Sequence, residues 1–478
     1  MTKYSNKVGL ILIFLSVIYS LYSVETFKLF YEDSLLVASY AYNYVSEGQL
    51  YDIVNRGPGM ALAHGRIHDI IYGNVMVFFE NYLYAHRYLS WVISIVTLFV
   101  FYKICLRIGY SKVISTFSTL FLSITEHFIL SAHIGRTDIL AFLFVLTVIY
   151  LATFFDKYKL SMLVAGMLSS LAIDIHLSTQ YVLLMIMMYE LTLKGTSNMF
   201  ILFFKYRLFI LGYLLGLFVV VFNNIHHIEQ IKEAYFLLDS AALSVSVTDR
   251  LSWLFTFWIN YTAYRFIFYP VILLIVIFLY LFKKMNKSEK VSFYIFIGGY
   301  IGFLLMGRMN HHYLILFMPF LYPILIQQTV KNNILIALFT IIAATSFIGI
   351  QAYSIYKDGS SSIKDYREKV KSAIKIDSSI VVIAPGDLWV VYKKNTFHGY
   401  LTESDIFEIK ENHKVLFISN EVHAKFLDNG TILGSNTGSH RFNRGFLDGF
   451  KSVSEITDKH YGGFGITKNN TITFYVNY

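Results

Sequence analysis

Residues 8–24 of this 478-residue chain are VGLILIFLSVIYSLYSV, and the short segment 25–29 then leads to FYEDS at residues 30–34. The first stretch has the length and apolar character of a helix that crosses a membrane, which needs roughly 17–25 such residues. Glu32 and Asp33 are therefore adjacent carboxylates just beyond a predicted membrane exit. In so apolar a chain, this placement indicates chemistry rather than solubility.

The composition is typical of an integral membrane protein. The chain is 56% hydrophobic and 18% aromatic. Only 15% of its residues are charged, against about 25% in soluble proteins. The single cysteine, Cys105, excludes a disulfide framework. The net charge of +9 does not predict nucleic-acid binding, because the lysines and arginines are spread over short loops between apolar runs.

Apolar runs recur along residues 1–353 and predict an α-helical polytopic membrane protein of about eleven transmembrane helices. They start near Val8, Tyr88, Val113, Ile139, Leu160, Ser178, Leu208, Phe266, Val291, Tyr313 and Ile334. No small-residue cleavage site follows the first run, which is expected to be an uncleaved helix rather than a signal peptide. Basic residues fall in alternate gaps, beginning with Lys3 and Lys7. This alternation predicts a multi-pass protein of the inner (plasma) membrane with a cytoplasmic N-terminus.

Residues 354–478 have a different pattern and predict a small α/β domain outside the cytoplasm. The segment 356–375 has the periodicity of an amphipathic helix. Strand-like runs follow at 379–384, 390–392, 414–419 and 471–476, separated by Gly, Asn and Asp turn residues. The sequence of this domain contains no phosphate-binding glycine loop, paired-cysteine metal site or nucleophile elbow. We expect it to recognise or support rather than to catalyse.

The first outward loop, residues 25–87, is much longer than an ordinary connection, and such loops are usually functional or disordered. Apolar residues recur at helical spacing over 35–45, and Gly48 stands where a helix C-cap is expected. This pattern predicts an amphipathic helix along the membrane surface. The loop then continues with RGPG at 56–59 and HGRIHD at 64–69. For these later residues, an ordinary solvated loop remains an open alternative.

Several segments follow one another in a distinctive order. They are the Glu32-Asp33 pair with YAYNYVSEGQLY at 40–51, RYLS at 87–90, HIGRTD at 133–138, and GRMNHHY at 307–313 with Pro319 and Pro323 after it. In this order they resemble the C-type glycosyltransferase superfamily (GT-C). Within it, the similarity is to integral membrane transferases that use polyprenyl- or dolichyl-phosphate sugars, such as protein mannosyltransferases and aminoarabinose transferases. The resemblance covers residues 1–350 and implies a GT-C-like catalytic domain.

The residues themselves point the same way, because ionisable groups gather at predicted outward helix ends. They are His133, Arg136 and Asp138 before the fourth span, and Arg308, His311 and His312, with Tyr313, before the tenth. Ionisable groups at membrane depth are costly and tend to line cavities. With the acidic pair, they are predicted to form one outward cavity. Alternatively, Arg136 pairs with Asp138, Arg308 snorkels to headgroups, and Asp174 forms a structural pair with His176.

Transfer of a sugar from a lipid phosphate needs a base for the acceptor hydroxyl and a cation for the departing phosphate. We predict Asp33 as the base and Glu32 as its orienting partner or alternative. Arg308, helped by His311 or His312, is the predicted phosphate ligand, because the guanidinium fork suits phosphate oxygens. Further candidates for the substrate site are Arg136, His133, Asp138, Tyr313, His64 and Arg66.

The sequence thus predicts an inverting glycosyltransferase that uses a polyprenyl-phosphate sugar. Its predicted acceptor is an envelope glycan, a lipid or a protein. Its other partners are membrane lipids, and nucleic acid is not expected. No cofactor is predicted, although a divalent cation is left open. The alternatives are a polysaccharide flippase or transporter, and an O-antigen polymerase or ligase that uses a diphosphate-linked donor.

Overall fold

A computed structural model describes two parts of the chain, a helical bundle and a smaller α/β unit. The described residues are 2–26, 38, 41–42, 44–45, 66–79, 82–133, 137–154, 159–194, 206–225, 276–277, 280, 285–305, 311–329, 363–384, 388, 391–392, 394–398, 403–420, 424–427, 440–443, 447–461 and 467–478. The bundle helices are α1 (Thr2–Thr26), α2 (Arg66–Met76), α3 (Tyr82–Ile108), α4 (Lys112–Ile124), α5 (Glu126–His133), α6 (Asp138–Ala152), α7 (Lys159–Ile175), α8 (Tyr181–Lys194), α9 (Arg207–Asn224), α10 (Lys287–Leu305) and α11 (Tyr322–Thr329).

A helix lies at each predicted span start within the described residues, while the starts near Phe266 and Ile334 lie outside them. Two described helices are long and apolar enough to cross a membrane, at Ala85–Ile108 and Arg207–Asn224. Most of α9 faces away from the protein, and Phe218 is 67% exposed. An apolar helix with so much uncovered surface is suited to lipid rather than to water. The total of eleven spans stays a prediction.

The helices run alternately, so that the bundle has two distinct ends. At one end, the last turn of α1 is bonded to α3, where the Arg87 Nη1 donates to the Val24 carbonyl at 3.0 Å. At the other, the Ser288 hydroxyl at the start of α10 donates to the carbonyl of Ile108, the last residue of α3, at 3.0 Å. We call the first the outward end, after the predicted orientation. It is where α1, α5, α7, α9 and α10 end and where α3, α6 and α8 begin.

Helices α7 and α9 approach so closely that only glycine fits between them. A Cβ added at Gly212 would lie 1.9 Å from the Leu163 carbonyl oxygen, and one at Gly166 would lie 2.0 Å from the Phe209 carbonyl oxygen. Gly216, one turn after Gly212, is in the same contact. This small-xxx-small spacing is typical of helix pairs that associate within membranes.

The segment predicted to start a span near Tyr313 is less regular than expected. It forms two 3-10 helices, His311–Leu316 and Met318–Leu321, before α11 begins at Tyr322. Pro319 explains the interruption, because it donates no backbone hydrogen bond and disfavours the α conformation of the residue before it. The span predicted near Ser178 likewise begins as a 3-10 helix, Leu177–Gln180, before α8.

The unit after residue 362 contains a five-stranded mixed sheet in the order β2-β1-β3-β7-β6. Its elements are α12 (Ile363–Ala373), β1 (Val381–Ile383), β2 (Phe397–His398), α13 (Glu403–Asn412), β3 (Val415–Asn420), β4 (Ala424–Leu427), β5 (His440–Asn443), β6 (Lys451–Tyr461) and β7 (Thr467–Val476). The two faces of the sheet are both buried. Val382 packs with Val370 of α12, and Val381 with Ile409 of α13.

The strand predicted at 390–392 is wrong for its described residues. Val391 and Tyr392 form a turn, because the backbone N–H groups of both donate to the Leu388 carbonyl. The strand beside β1 is instead β2, which pairs with it in parallel through Val382 and Phe397. A boundary at residue 354 and an extracytoplasmic location remain predictions.

Candidate active site

The first outward loop is attached to the bundle at the start of α2. The backbone N–H of Ile67 donates to Asp174 Oδ2 at 2.8 Å, and the side chain of Asn224 donates to Asp174 Oδ1 at 3.2 Å. A carboxylate at this position caps the helix and offsets its dipole. The last turns of α7 and α9 therefore fix the beginning of α2.

Arg66, a predicted substrate-site residue, belongs to the same junction. Its Nη1 donates to the carbonyl of Asn223 in α9, and its guanidinium lies near the Asp174 carboxylate. Within the described part of the chain, its buried Nε has no hydrogen-bond partner. In this structure Arg66 therefore ties the loop helix to the bundle.

Asp174 and His176 do not form the hydrogen-bonded pair that was one sequence-based alternative. Asp174 caps α2, whereas His176 Nδ1 accepts from the Ser178 backbone N–H at 3.2 Å and so caps the 3-10 helix before α8. The His176 ring also packs on Tyr313, with 4.6 Å between the ring centroids. Tyr313, a predicted site residue, is thus adjacent to the outward end of α7.

A chain of buried polar side chains joins α2 to α3. His68 Nδ1 lies 3.1 Å from Asp69 Oδ1, and His68 Nε2 lies 3.3 Å from His86 Nε2. Beside them, the hydroxyls of Tyr72 and Ser90 are 2.9 Å apart. All five side chains are fully buried. The polar face of α2 is therefore its inner face.

Burial keeps this chain close to neutral. It raises the pKa of Asp69 well above its usual value, and the nearby Asp174 raises it further, while Arg66 opposes the effect. Burial also lowers the pKa of His68 to about 3. A neutral Asp69 can donate its proton to His68 Nδ1, and one imidazole N–H then bridges His68 and His86.

Arg87, the first residue of the RYLS segment, is fully buried and donates to the Val24 carbonyl. It therefore holds the end of α1, from which the chain continues toward the acidic pair. Glu32 and Asp33 themselves lie outside the described residues, as do His64, Arg136 and Arg308. Their predicted roles remain predictions.

The remaining predicted residues lie on elements that meet at the outward end. The 3-10 helix His311–Leu316, which His311 and His312 begin, packs against α5 and α6. His133 is the last residue of α5, and Asp138 is the buried first residue of α6. The structure thus brings the segments at 133–138 and 311–316 together. Only the backbones of His133, His311 and His312 are described.

His68, Asp69 and His86 were not selected as site residues from the sequence. His68 and Asp69 belong to the HGRIHD run, and His86 directly precedes the RYLS segment, so their proximity to motifs was the only available signal. Within the described ranges, no group of three or more His, Cys, Asp and Glu side chains is arranged to hold a metal ion.

No protein-family profile and no curated protein sequence matches the chain. Among solved structures, ArnT from Cupriavidus metallidurans bound to undecaprenyl phosphate is similar over 99% of this chain and 97% of its own, with a TM-score of 0.57 and 10% identity. The Archaeoglobus fulgidus oligosaccharyltransferase in complex with Zn and sulfate has a TM-score of 0.48 at 10% identity, over 85% of this chain and 67% of its own.

At such low identity, the similarity to ArnT establishes the fold alone. It extends over nearly the whole of both chains, including the residues after 362. The order of the motifs and the three-dimensional arrangement of the described helices therefore lead to the same result. The chain has the GT-C fold of integral membrane glycosyltransferases, as its sequence resemblance predicted.

Proposed function

We propose that this protein transfers a sugar from a polyprenyl-phosphate donor to an acceptor outside the cytoplasm, namely an envelope glycan, lipid or protein. The observation that carries the proposal is the fold shared with ArnT over nearly the full length of both chains, because that structure contains undecaprenyl phosphate. The proposed donor is of the same chemical class.

The reaction is a single displacement at the anomeric carbon. Asp33 takes the proton of the acceptor hydroxyl as its oxygen bonds to that carbon, and the bond from the carbon to the phosphate oxygen breaks. The products are the inverted glycoside and polyprenyl phosphate. Glu32 orients the base, and Arg308 stabilises the charge on the leaving phosphate together with His311 or His312.

The described residues support this assignment through the segments that they position. Arg87 anchors the end of α1 before the acidic pair, and Asp174 anchors the start of α2 at the other end of the same loop. The 3-10 helix His311–Leu316 follows Arg308 directly and packs against α5 and α6. Both halves of the proposed site are thus attached to the outward end.

The first test is transfer of labelled sugar from a synthetic polyprenyl-phosphate donor by purified protein in nanodiscs, with donor binding measured separately. We expect Asp33→Asn to lower turnover by about 10²–10⁴-fold, the usual contribution of a general base, and to leave donor binding nearly unchanged. Glu32→Gln should cost less. Glu289→Gln is a control, because this buried carboxylate lies in the first turn of α10, at the opposite end of the bundle. Native turnover in both outward variants contradicts the mechanism.

Arg308 provides the second test. Arg308→Ala should weaken donor use by roughly 2–5 kcal/mol, and Arg308→Lys should restore only part of it, because lysine lacks the guanidinium fork. Movement of a labelled lipid-linked sugar between leaflets, in the absence of any transfer, would favour the flippase instead. Normal donor use by Arg308→Ala would move the phosphate site to Arg136.

A further inference from the structure

Helix α2 is amphipathic in the opposite sense to a helix on a water-soluble protein. Its inner face carries the buried polar side chains of His68, Asp69 and Tyr72. Its other side, with the turn that follows, exposes four large apolar side chains. These are Ile70 (38% exposed), Val77 (40%), Phe78 (84%) and Phe79 (53%), here called the α2 apolar face. A helix on a water-soluble protein buries its apolar residues and exposes its polar ones.

The backbone around the α2 apolar face needs no water. Val77 N–H donates to the Gly73 carbonyl at 3.1 Å, Phe78 N–H to Val75 at 3.3 Å, and Phe79 N–H to Met76 at 3.1 Å. Asn74, the polar residue exposed on the same side, donates its amide to the Ile70 carbonyl at 2.6 Å. A segment in contact with hydrocarbon must satisfy its own polar groups in this way.

The α2 apolar face also continues a surface that already faces lipid. The Arg66 guanidinium bonds to the Asn223 carbonyl, which places the first turn of α2 at the last turn of α9. That turn exposes Phe222 and Ile225, at 64% and 52%. After Phe79, the chain enters α3, which exposes Val92, Val96 and Phe99 along its length. The outward ends of two predicted spans thus flank α2.

We propose that the α2 apolar face rests against lipid acyl chains at the outward surface of the membrane and so holds the first outward loop at interfacial depth. The contact is apolar rather than electrostatic, because the only cationic residue of α2 is Arg66, which is engaged with α9. Membrane-surface helices that depend on anionic headgroups carry Lys and Arg on their polar face. This inference is independent of the sugar that the protein transfers.

The test uses site-directed fluorescence in the full-length protein. Cys105 is the single native cysteine and is buried, so Phe78→Cys introduces the thiol that a water-soluble reagent reaches. It is labelled with an NBD probe and reconstituted into phosphatidylcholine vesicles. Quenching is then measured with acyl-chain nitroxide lipids and, separately, with aqueous iodide. Phe79→Cys repeats the measurement in case one variant does not fold.

Glu411→Cys is the matched control. Glu411 is exposed on α13, which packs on the sheet face opposite α12, and α12 is the helix that contacts α1 of the bundle. A probe there should respond to iodide and not to nitroxide lipids. The probe at residue 78 should show the reverse, by severalfold. Anionic lipid should not change this result.

Two outcomes would overturn the inference. Iodide quenching at residue 78 equal to that at residue 411 would mean that the α2 apolar face is in water. Protection of residue 78 from both quenchers would mean that protein covers it, either a second copy or another segment of this chain. Lipid quenching that appears only with anionic lipid would assign the contact to headgroups and would also refute the proposed acyl contact.

Discussion

Replacing Asp174 by alanine should detach the start of α2 while leaving the bundle assembled. The substitution removes the acceptor of the Ile67 N–H and one acceptor of the Asn224 amide. An unsatisfied buried donor costs about 1–3 kcal/mol. The cost at Asn224 is at the lower end, because its side chain also donates to Val220. The total is about 2–4 kcal/mol for local opening of α2, and Asp174→Asn, which keeps one acceptor oxygen, should cost about half.

Hydrogen exchange of peptides covering residues 66–76, measured in nanodiscs, reports this opening. Since 1.4 kcal/mol is a factor of ten, Asp174→Ala should speed their exchange by roughly 30-fold or more. Glu289→Ala is the matched control, because Glu289 likewise accepts from a backbone N–H, that of Asn286, and from a side-chain amide, that of Gln328. It should loosen the start of α10 only. Native exchange at α2 in Asp174→Ala would refute the capping role.

Three further outcomes are expected. Gly212→Leu should abolish assembly, because even a Cβ there lies 1.9 Å from a carbonyl oxygen of α7, whereas the 48% exposed Leu215 should tolerate alanine in a thermal-unfolding assay. Arg87→Met should lower transfer with donor affinity little changed, as measured by the KM and kcat of sugar transfer, because the end of α1 loses its anchor. Above pH 6.5, thermal stability should fall as pH rises, because native Asp69 keeps a proton that the unfolded chain, with a pKa of 3.8, has lost. Asp69→Asn should remove that slope. The opposing contribution of His68, with a folded pKa of about 3 against 6.5 unfolded, is lost only as pH falls below 6.5.

The helices of the bundle follow from the sequence because each is one continuous apolar run. Such a run fixes a helix locally, and the start predicted near Ile139 lies within one residue of the observed start of α6 at Asp138. Local patterns failed where a neighbour in space decides the structure. The segment 390–392 is apolar enough for a strand, yet Val391 and Tyr392 turn back on Leu388, and Phe397 supplies the pairing instead.

The polar connections of the candidate site were harder to predict for a related reason. Whether Asp174 pairs with His176 or with a distant loop depends on which helix ends meet, and no local period encodes that. The contact between His68 and His86 likewise joins a loop helix to a span across the intervening turn. The sequence does indicate that such residues are buried with partners, because isolated ionisable groups are costly there. It does not indicate which partners they have.

The contact between α7 and α9 has a consequence for how such a chain diverges. On α9, Gly212 and Gly216 meet backbone and short side-chain atoms, so that side of the helix tolerates almost no change of residue. The opposite side, with Leu214, Phe218 and Phe222, has only lipid to satisfy, and any apolar side chain does so. Selection on such a helix preserves a spacing of small residues and an average oiliness rather than a string of letters. Two chains can therefore retain the same bundle long after their sequences have ceased to resemble each other.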